Sequence, residues 1–111
     1  MSCMQYIAFD FETSGLPEGR RNIDVTPETL KCYDTCRAVS LSAARFSQRG
    51  RLLDTFDSVI IPEGFTISER SIEVHGITEE RAKREGRPFT DVFLDFMKFI
   101  GPRTKTIVAH N

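Results

Sequence analysis

A mixed α/β sheet with flanking helices is the fold class that this 111-residue chain predicts, and three observations predict it. Residues 6–11 alternate as a strand does and break off at two carboxylates and a turn. Residues 38–46 and 52–61 read as two strands joined by a short polar turn. Residues 90–100 repeat apolar side chains at helical spacing just before a last apolar run at 106–109. The length fits one domain at most, and a hydrophobic content of 40% with nine Phe suffices for a modest core.

The first strand is the most informative. Side chains on a strand alternate, so Ile7, Phe9 and Phe11 fall on one face and Ala8, Asp10 and Glu12 on the other. Two carboxylates at i and i+2 repel each other and resist desolvation. A divalent cation, which takes hard oxygen ligands, is the simplest partner to place between them. An isolated D-x-E more often marks a solvated pair on an open sheet face, and it is the residues after Glu12 that shift the balance. Thr13-Ser14-Gly15-Leu16 closes the strand in a tight turn, where glycine permits close backbone approach and Leu16 stands exposed at the rim.

Residues 17–22 form a polar, turn-rich loop. Thr26 before Pro27 has the pattern of a helix N-cap and predicts a short helix reaching Cys36. In the strand at 38–46, Val39, Leu41 and Ala43 share a face with small residues opposite. Residues 48–51 make the turn, and the return strand at 52–61 is most buried at Val59-Ile60-Ile61 before Pro62 ends the ladder. Asp54 and Asp57 fall on opposite faces of that strand, so they do not share an ion.

Ser68 caps a short helix running to His75, and Gly76 ends it. A histidine at a helix end most often bonds a nearby carbonyl. Thr78-Glu79-Glu80 opens another helix, with acids at its start and Arg81, Lys83 and Arg84 toward its end. Together with Arg87 these cations are candidates for phosphate contact, but the interleaved Glu79, Glu80 and Glu85 favour a mixed-charge solvated face. Phe89, Val92, Phe93, Phe96, Met97 and Ile100 form a helical stripe that reads as core. Gly101-Pro102 stops the helix, and residues 106–109 return as a buried strand, expected to run parallel to the first.

A formal net charge of −1 and a pI near 6.1 argue against a uniformly basic surface, although a local groove can still be basic. Three cysteines (Cys3, Cys32 and Cys36), with no export signal at residues 1–5, point to a reducing, intracellular compartment, cytoplasmic or nuclear. Cys32 and Cys36 fit one helical face, but no second Cys/His pair stands near enough to complete a zinc site. No apolar run approaches the ~20 residues a membrane span requires, so a soluble chain with no membrane partner is expected.

The stretch Phe9-Asp10-Phe11-Glu12-Thr13-Ser14-Gly15-Leu16 resembles the first motif of the DEDD, or DnaQ-like, 3′–5′ exonucleases, the group that includes the proofreading subunit of bacterial replicative polymerases. Val74-His75-Gly76-Ile77-Thr78 and Ile107-Val108-Ala109-His110-Asn111 resemble later blocks of that family and stand in the same order. The resemblance implies a ribonuclease H-like mixed sheet with the acidic strand central and the last strand beside it. It further implies that residues 1–111 are the N-terminal part of a single exonuclease domain, incomplete at the C-terminus.

The same resemblance implies hydrolysis of nucleotides from a 3′ end by two-metal-ion catalysis. Asp10 and Glu12 are then the catalytic ligands of two Mg²⁺ or Mn²⁺ ions, and Thr13, Leu16 and His75 bind substrate. Some relatives carry an acidic residue five positions before this histidine, where Arg70 stands here. The implied partners are a single-stranded or frayed 3′ end, of DNA or RNA, and a polymerase, in proofreading or repair. The insert after the first motif is longer than in compact bacterial members and resembles viral or phage-like versions; its expected role is surface elaboration. Of the four acids that the family name counts, Asp10 and Glu12 are present, so the chain alone is expected to be inactive. A catalytically inactive exonuclease-like interaction module is the alternative.

Overall fold

The computed structural model describes residues 4–18, 24–102 and 105–110. Cys3, Asn111 and most of the loop expected at 17–22 lie outside the described residues. Four strands, β1 (Gln5–Thr13), β2 (Ala38–Ser47), β3 (Leu52–Val59) and β4 (Lys105–Ala109), form one sheet in the order β3-β2-β1-β4. The β1–β2 and β2–β3 pairs are antiparallel and β1–β4 is parallel, so the acidic strand is internal with the last strand at its side, as expected. β4 is not the buried strand expected, since it lies at the sheet edge with Ile107 and Val108 about half exposed. Three helices accompany them: α1 (Glu69–His75), α2 (Glu79–Glu85) and α3 (Phe89–Ile100). None of the described helices is long and apolar enough to cross a membrane.

Strand alternation sorts β1 as its sequence dictates. Ile7 is fully buried and packs with Leu41, Ala43, Ile60, Val92 and Phe96, while Phe9 and Phe11 lean on the same cluster. Burying side chains of this size is worth about 1.5–3 kcal/mol each. Across β2, Phe9 faces Ala43 and Phe11 faces Leu41, whereas Asp10 faces Ser42 and Glu12 faces Ser40. The residues opposite the acids are therefore small, and the acidic face stays low and open.

Helix α3 is placed by aromatic packing. The Phe96 ring lies 5.6 Å from Phe9 and 5.9 Å from Phe56, centroid to centroid, and Phe99 lies 5.7 Å from Phe56. At the end of the helix, Arg45 of β2 donates to the Phe99 carbonyl and stacks on the Phe99 ring at 4.5 Å. A cation thus meets one of the carbonyls that a helix C-terminus leaves without an intrahelical donor. The apolar stripe is only partly core, which corrects the sequence reading. Val92 and Phe96 are buried, but Phe89, Phe93 and Met97 remain 45%, 43% and 49% exposed. A single helix touches a sheet along a narrow line, and the 89/93/97 row is rotated off it.

A second cluster of Val39, Ile67, Ile77 and Ala82, joined by Val59, Phe65 and Ile72, holds α1 and α2 near one end of the sheet. The caps are those the sequence gives: Ser68 accepts from the Ser71 N–H, and Thr78 accepts from the Arg81 N–H. Gly76 ends α1 at φ +74°, a left-handed conformation in which a side chain is strained. The charges of α2 pair among themselves, and Arg87 in the connection beyond it pairs with Asp95 of α3. Arg81 meets Glu85 at 2.7 Å and Arg87 meets Asp95 at 2.6 Å, in keeping with a solvated mixed-charge face.

Two expected elements come out shorter. In place of a helix reaching Cys36 there is one 3-10 turn, Leu30–Tyr33, with no buried residue. The Thr26 and Thr29 side chains bond each other's backbone, and the chain then continues in three-residue steps from Cys32 to Thr29, Asp34 to Lys31 and Cys36 to Tyr33. Threonine hydroxyls offer the backbone an alternative to helical pairing, and no apolar stripe opposes them. The return strand stops at Val59 because the chain there changes partner. Ile60 bridges to Arg87, with Ile61 N–H donating to the Arg87 carbonyl at 2.9 Å.

Candidate active site

The sequence-predicted residues gather where β1 ends. Between Glu12 and Thr13 the pairing register with β2 shifts, a bulge of the kind that re-aims side chains at a strand end. Beyond it Thr13 Oγ1 donates to the Gly15 carbonyl at 3.1 Å, and Ser14, 3% exposed, is locked into the 35–37 segment by its N–H and its hydroxyl. The turn needs glycine at position 15 for a spatial reason. A Cβ there would sit 2.6 Å from the Thr35 carbonyl oxygen, closer than real Cβ atoms approach. The Thr35 hydroxyl donates in turn to the Leu16 carbonyl at 2.6 Å, which holds the Leu16 side chain out, 76% exposed.

These elements frame a cleft of about 750 Å³ lined by Asp10, Glu12, Thr13, Leu16, Val74 and His110 among others. Asp10 keeps 40% of its side chain exposed, and His110 Nδ1 lies 3.4 Å from its Oδ1. The His110 N–H donates to the Phe9 carbonyl at 3.1 Å, so the β1–β4 pairing itself delivers this histidine beside the acid. Asp10 and Glu12 share a face, as alternation requires, and Asp54 and Asp57 stand apart from them on β3, held by Arg45 and Ser42.

His75 is placed differently from the other predicted residues. Its Nδ1 accepts from the Ile77 N–H at 3.0 Å, which leaves Nε2–H to donate to the Thr13 carbonyl at 3.1 Å. Both ring nitrogens therefore serve backbone, and it is the neighbouring Val74, 79% exposed, that borders the cleft. Leu16 and Val74 are thus two exposed apolar side chains on the rim of an acidic cleft. The sequence reading missed Val74, His110 and Phe89 as lining residues. The parallel register that brings His110 to Asp10 was the available signal for one of them, since Phe9 pairs with Ala109.

Among the described residues, no group of three or more His, Cys, Asp or Glu side chains has an arrangement that holds a metal ion by itself. Two carboxylates on one face, open to solvent, still fit a small hard cation. Such an ion keeps several waters and is commonly held by one or two carboxylates together with substrate phosphate oxygens.

The mixed four-stranded sheet with flanking helices matches the ribonuclease H-like fold of exonuclease I. Particular structures share it at 14% identity: exonuclease I in complex with the inhibitor BCBP, at a TM-score of 0.75 over 100% of this chain and 22% of that one. An E. coli exonuclease I complex with an oligonucleotide superposes at a TM-score of 0.73, with 14% identity, over 97% of this chain and 21% of that one. The metal-free form of an E. coli exonuclease I–single-stranded DNA complex gives the same values: 0.73, 14%, 97% and 21%. The chain therefore spans about a fifth of the length of the exonuclease I chains it matches. No family model and no curated protein matches the sequence.

Proposed function

We propose that this chain carries part of a 3′–5′ exonuclease site that removes nucleotides from a single-stranded or frayed 3′ end. The observation that carries the reading is the pairing of Asp10 and Glu12 on the open face at the end of β1, inside a cleft rimmed by Leu16 and Val74. Its support in the fold is the similarity to exonuclease I, including complexes with single-stranded DNA.

Asp10 and Glu12 would hold two Mg²⁺ or Mn²⁺ ions, which, when bound, supply charge for the scissile phosphate, an activated water and stabilisation of the leaving oxygen. The residues of the chain do the remaining work. Leu16 and Val74 offer apolar contact to the terminal base from the rim, and the cost of unstacking one end base is small compared with opening a duplex. The Thr13 backbone lies beside the terminal nucleotide, and His75 fixes it there by accepting from Ile77 and donating to Thr13. His110, 3.4 Å from Asp10, is positioned to orient that carboxylate. DNA and RNA are alike candidates as substrate.

A second reading is a catalytically inactive interaction module on the same fold; the observation on its side is that, among the described residues, no group of three or more His, Cys, Asp or Glu side chains is arranged to hold a metal ion. A 3′-labelled single strand separates the two. With Mn²⁺, the protein carrying this chain should release labelled mononucleotide, and Asp10→Ala should reduce the rate by a factor of a hundred or more, roughly what loss of a major transition-state contact costs. Trimming that survives Asp10→Ala would sink the site assignment. Absence of trimming together with intact strand binding would favour the module.

A further inference from the structure

A second cleft, of about 420 Å³, lies beside the acidic one and shares Cys36, Ala38 and Phe89 with it. The segment that the sequence marks as a surface insert builds much of its wall. Arg37 stands on it with the aromatic rings of Tyr33 and Phe65 and two acids, Asp34 and Glu63.

Arg37 is held at both ends. Its backbone is clamped to the residue that closes the acidic strand: the Ser14 N–H donates to the Arg37 carbonyl at 2.8 Å, and the Arg37 N–H donates to Ser14 Oγ at 2.9 Å. Its guanidinium lies 5.1 Å above the centroid of the Phe65 ring. A guanidinium stacked on a ring keeps its in-plane N–H groups available for an oxyanion. Arg45, Arg81, Arg84 and Arg87 are each paired with a carboxylate, whereas Arg37 makes no ion pair among the described residues.

We propose that this second cleft receives the nucleotide next to the 3′-terminal one, with Arg37 donating to its phosphate. The proposal rests on the exonuclease reading of the acidic cleft and assigns the route by which the strand reaches it. The acidic cleft and the second one adjoin at Cys36, Ala38 and Phe89, which gives a strand ending at Asp10 and Glu12 a continuous route past them. That route supplies a cation and aromatic side chains, groups that single-stranded nucleic acid sites use. The cleft volume falls within the ordinary range of small-ligand sites. Asp34 and Glu63 on the same wall repel a free polyanion and offer acceptors to the N–H edge of a base, so a nucleotide seats with its phosphate toward Arg37.

The test is binding of thymidine 5′-monophosphate and of an oligothymidylate single strand, with Mn²⁺ present, to the wild type, Arg37→Gln, Arg37→Lys and Asp10→Asn. Arg37→Gln should weaken oligothymidylate binding about tenfold, the loss expected for one charge-assisted phosphate contact. It should also flatten the salt dependence by roughly the 0.7 that one phosphate contact contributes on a single strand, and leave the mononucleotide unaffected. Arg37→Lys should retain the salt slope and recover part of the affinity. Equal losses for the two probes, or an unchanged oligothymidylate affinity and slope in Arg37→Gln, would overturn the subsite. If the wild type binds neither probe in an Asp10-dependent way, the exonuclease reading itself fails and the subsite falls with it.

Discussion

The two faces of β1 obey opposite demands within one strand. On the covered face Ile7 is shut off from solvent, and Phe9 and Phe11 pack under α3. On the open face Ala8 is exposed, and Asp10 and Glu12 stand over the small side chains of Ser42 and Ser40. The first face excludes water and holds the sheet to its helix; the second keeps water and charge at a strand end. The acids cost the fold little because they are not asked to be buried, and the core residues between them fix where they point.

Breaking the covered face should have the largest effect on the fold. Phe96→Ala removes the ring that meets both Phe9 and Phe56 and should cost about 3–5 kcal/mol in urea unfolding, while leaving the acids in place in the folded fraction. Gly15→Ala forces a Cβ against the Thr35 carbonyl and should cost about 1–3 kcal/mol. It should also loosen the Leu16 rim, seen as faster amide exchange at residues 14–16. On the open face, Asp10→Asn should be neutral or stabilising by less than about 1 kcal/mol, since it removes one of two like charges at an exposed position. A loss as large as that of Phe96→Ala would mean that Asp10 is structural.

The smallest effects belong to the solvated surface. Phe93→Ala, on the exposed row of α3, should change stability by within about 0.5 kcal/mol. Glu85 is also exposed, and a hydrogen bond from Arg81 lowers its pKa below the ordinary 4.5. A carboxylate depressed in the folded state contributes stability above its unfolded pKa, and that contribution is lost as pH falls through the folded value. Thermal melts of Glu85→Gln and wild type should therefore differ slightly at neutral pH and converge in strong acid.

Much of this fold was legible because period and punctuation agreed. The alternation in β1, the caps at Ser68 and Thr78, and the stop at Gly76 each follow from local chemistry and are found in place. The failures have a common cause in tertiary context. Nothing in the 27–36 stretch says that Thr26 and Thr29 will spend their hydroxyls on backbone instead of starting a helix. The α3 stripe does not say how wide a line of contact the sheet offers, so Phe89, Phe93 and Met97 stayed outside. At the cleft, Asp10, Glu12 and Leu16 could be placed from strand alternation and a turn. The engagement of both His75 nitrogens by backbone, and the approach of His110 to Asp10, depend on elements distant in sequence.

The most direct measurement of the central claim is a calorimetric titration of Mn²⁺ into the wild-type chain and into Asp10→Asn. Wild type should bind Mn²⁺ and Asp10→Asn should not, while the variant melts no lower than the metal-free wild type. Equal binding in both proteins, or none in either, would contradict the proposal that the open face of β1 holds a metal ion.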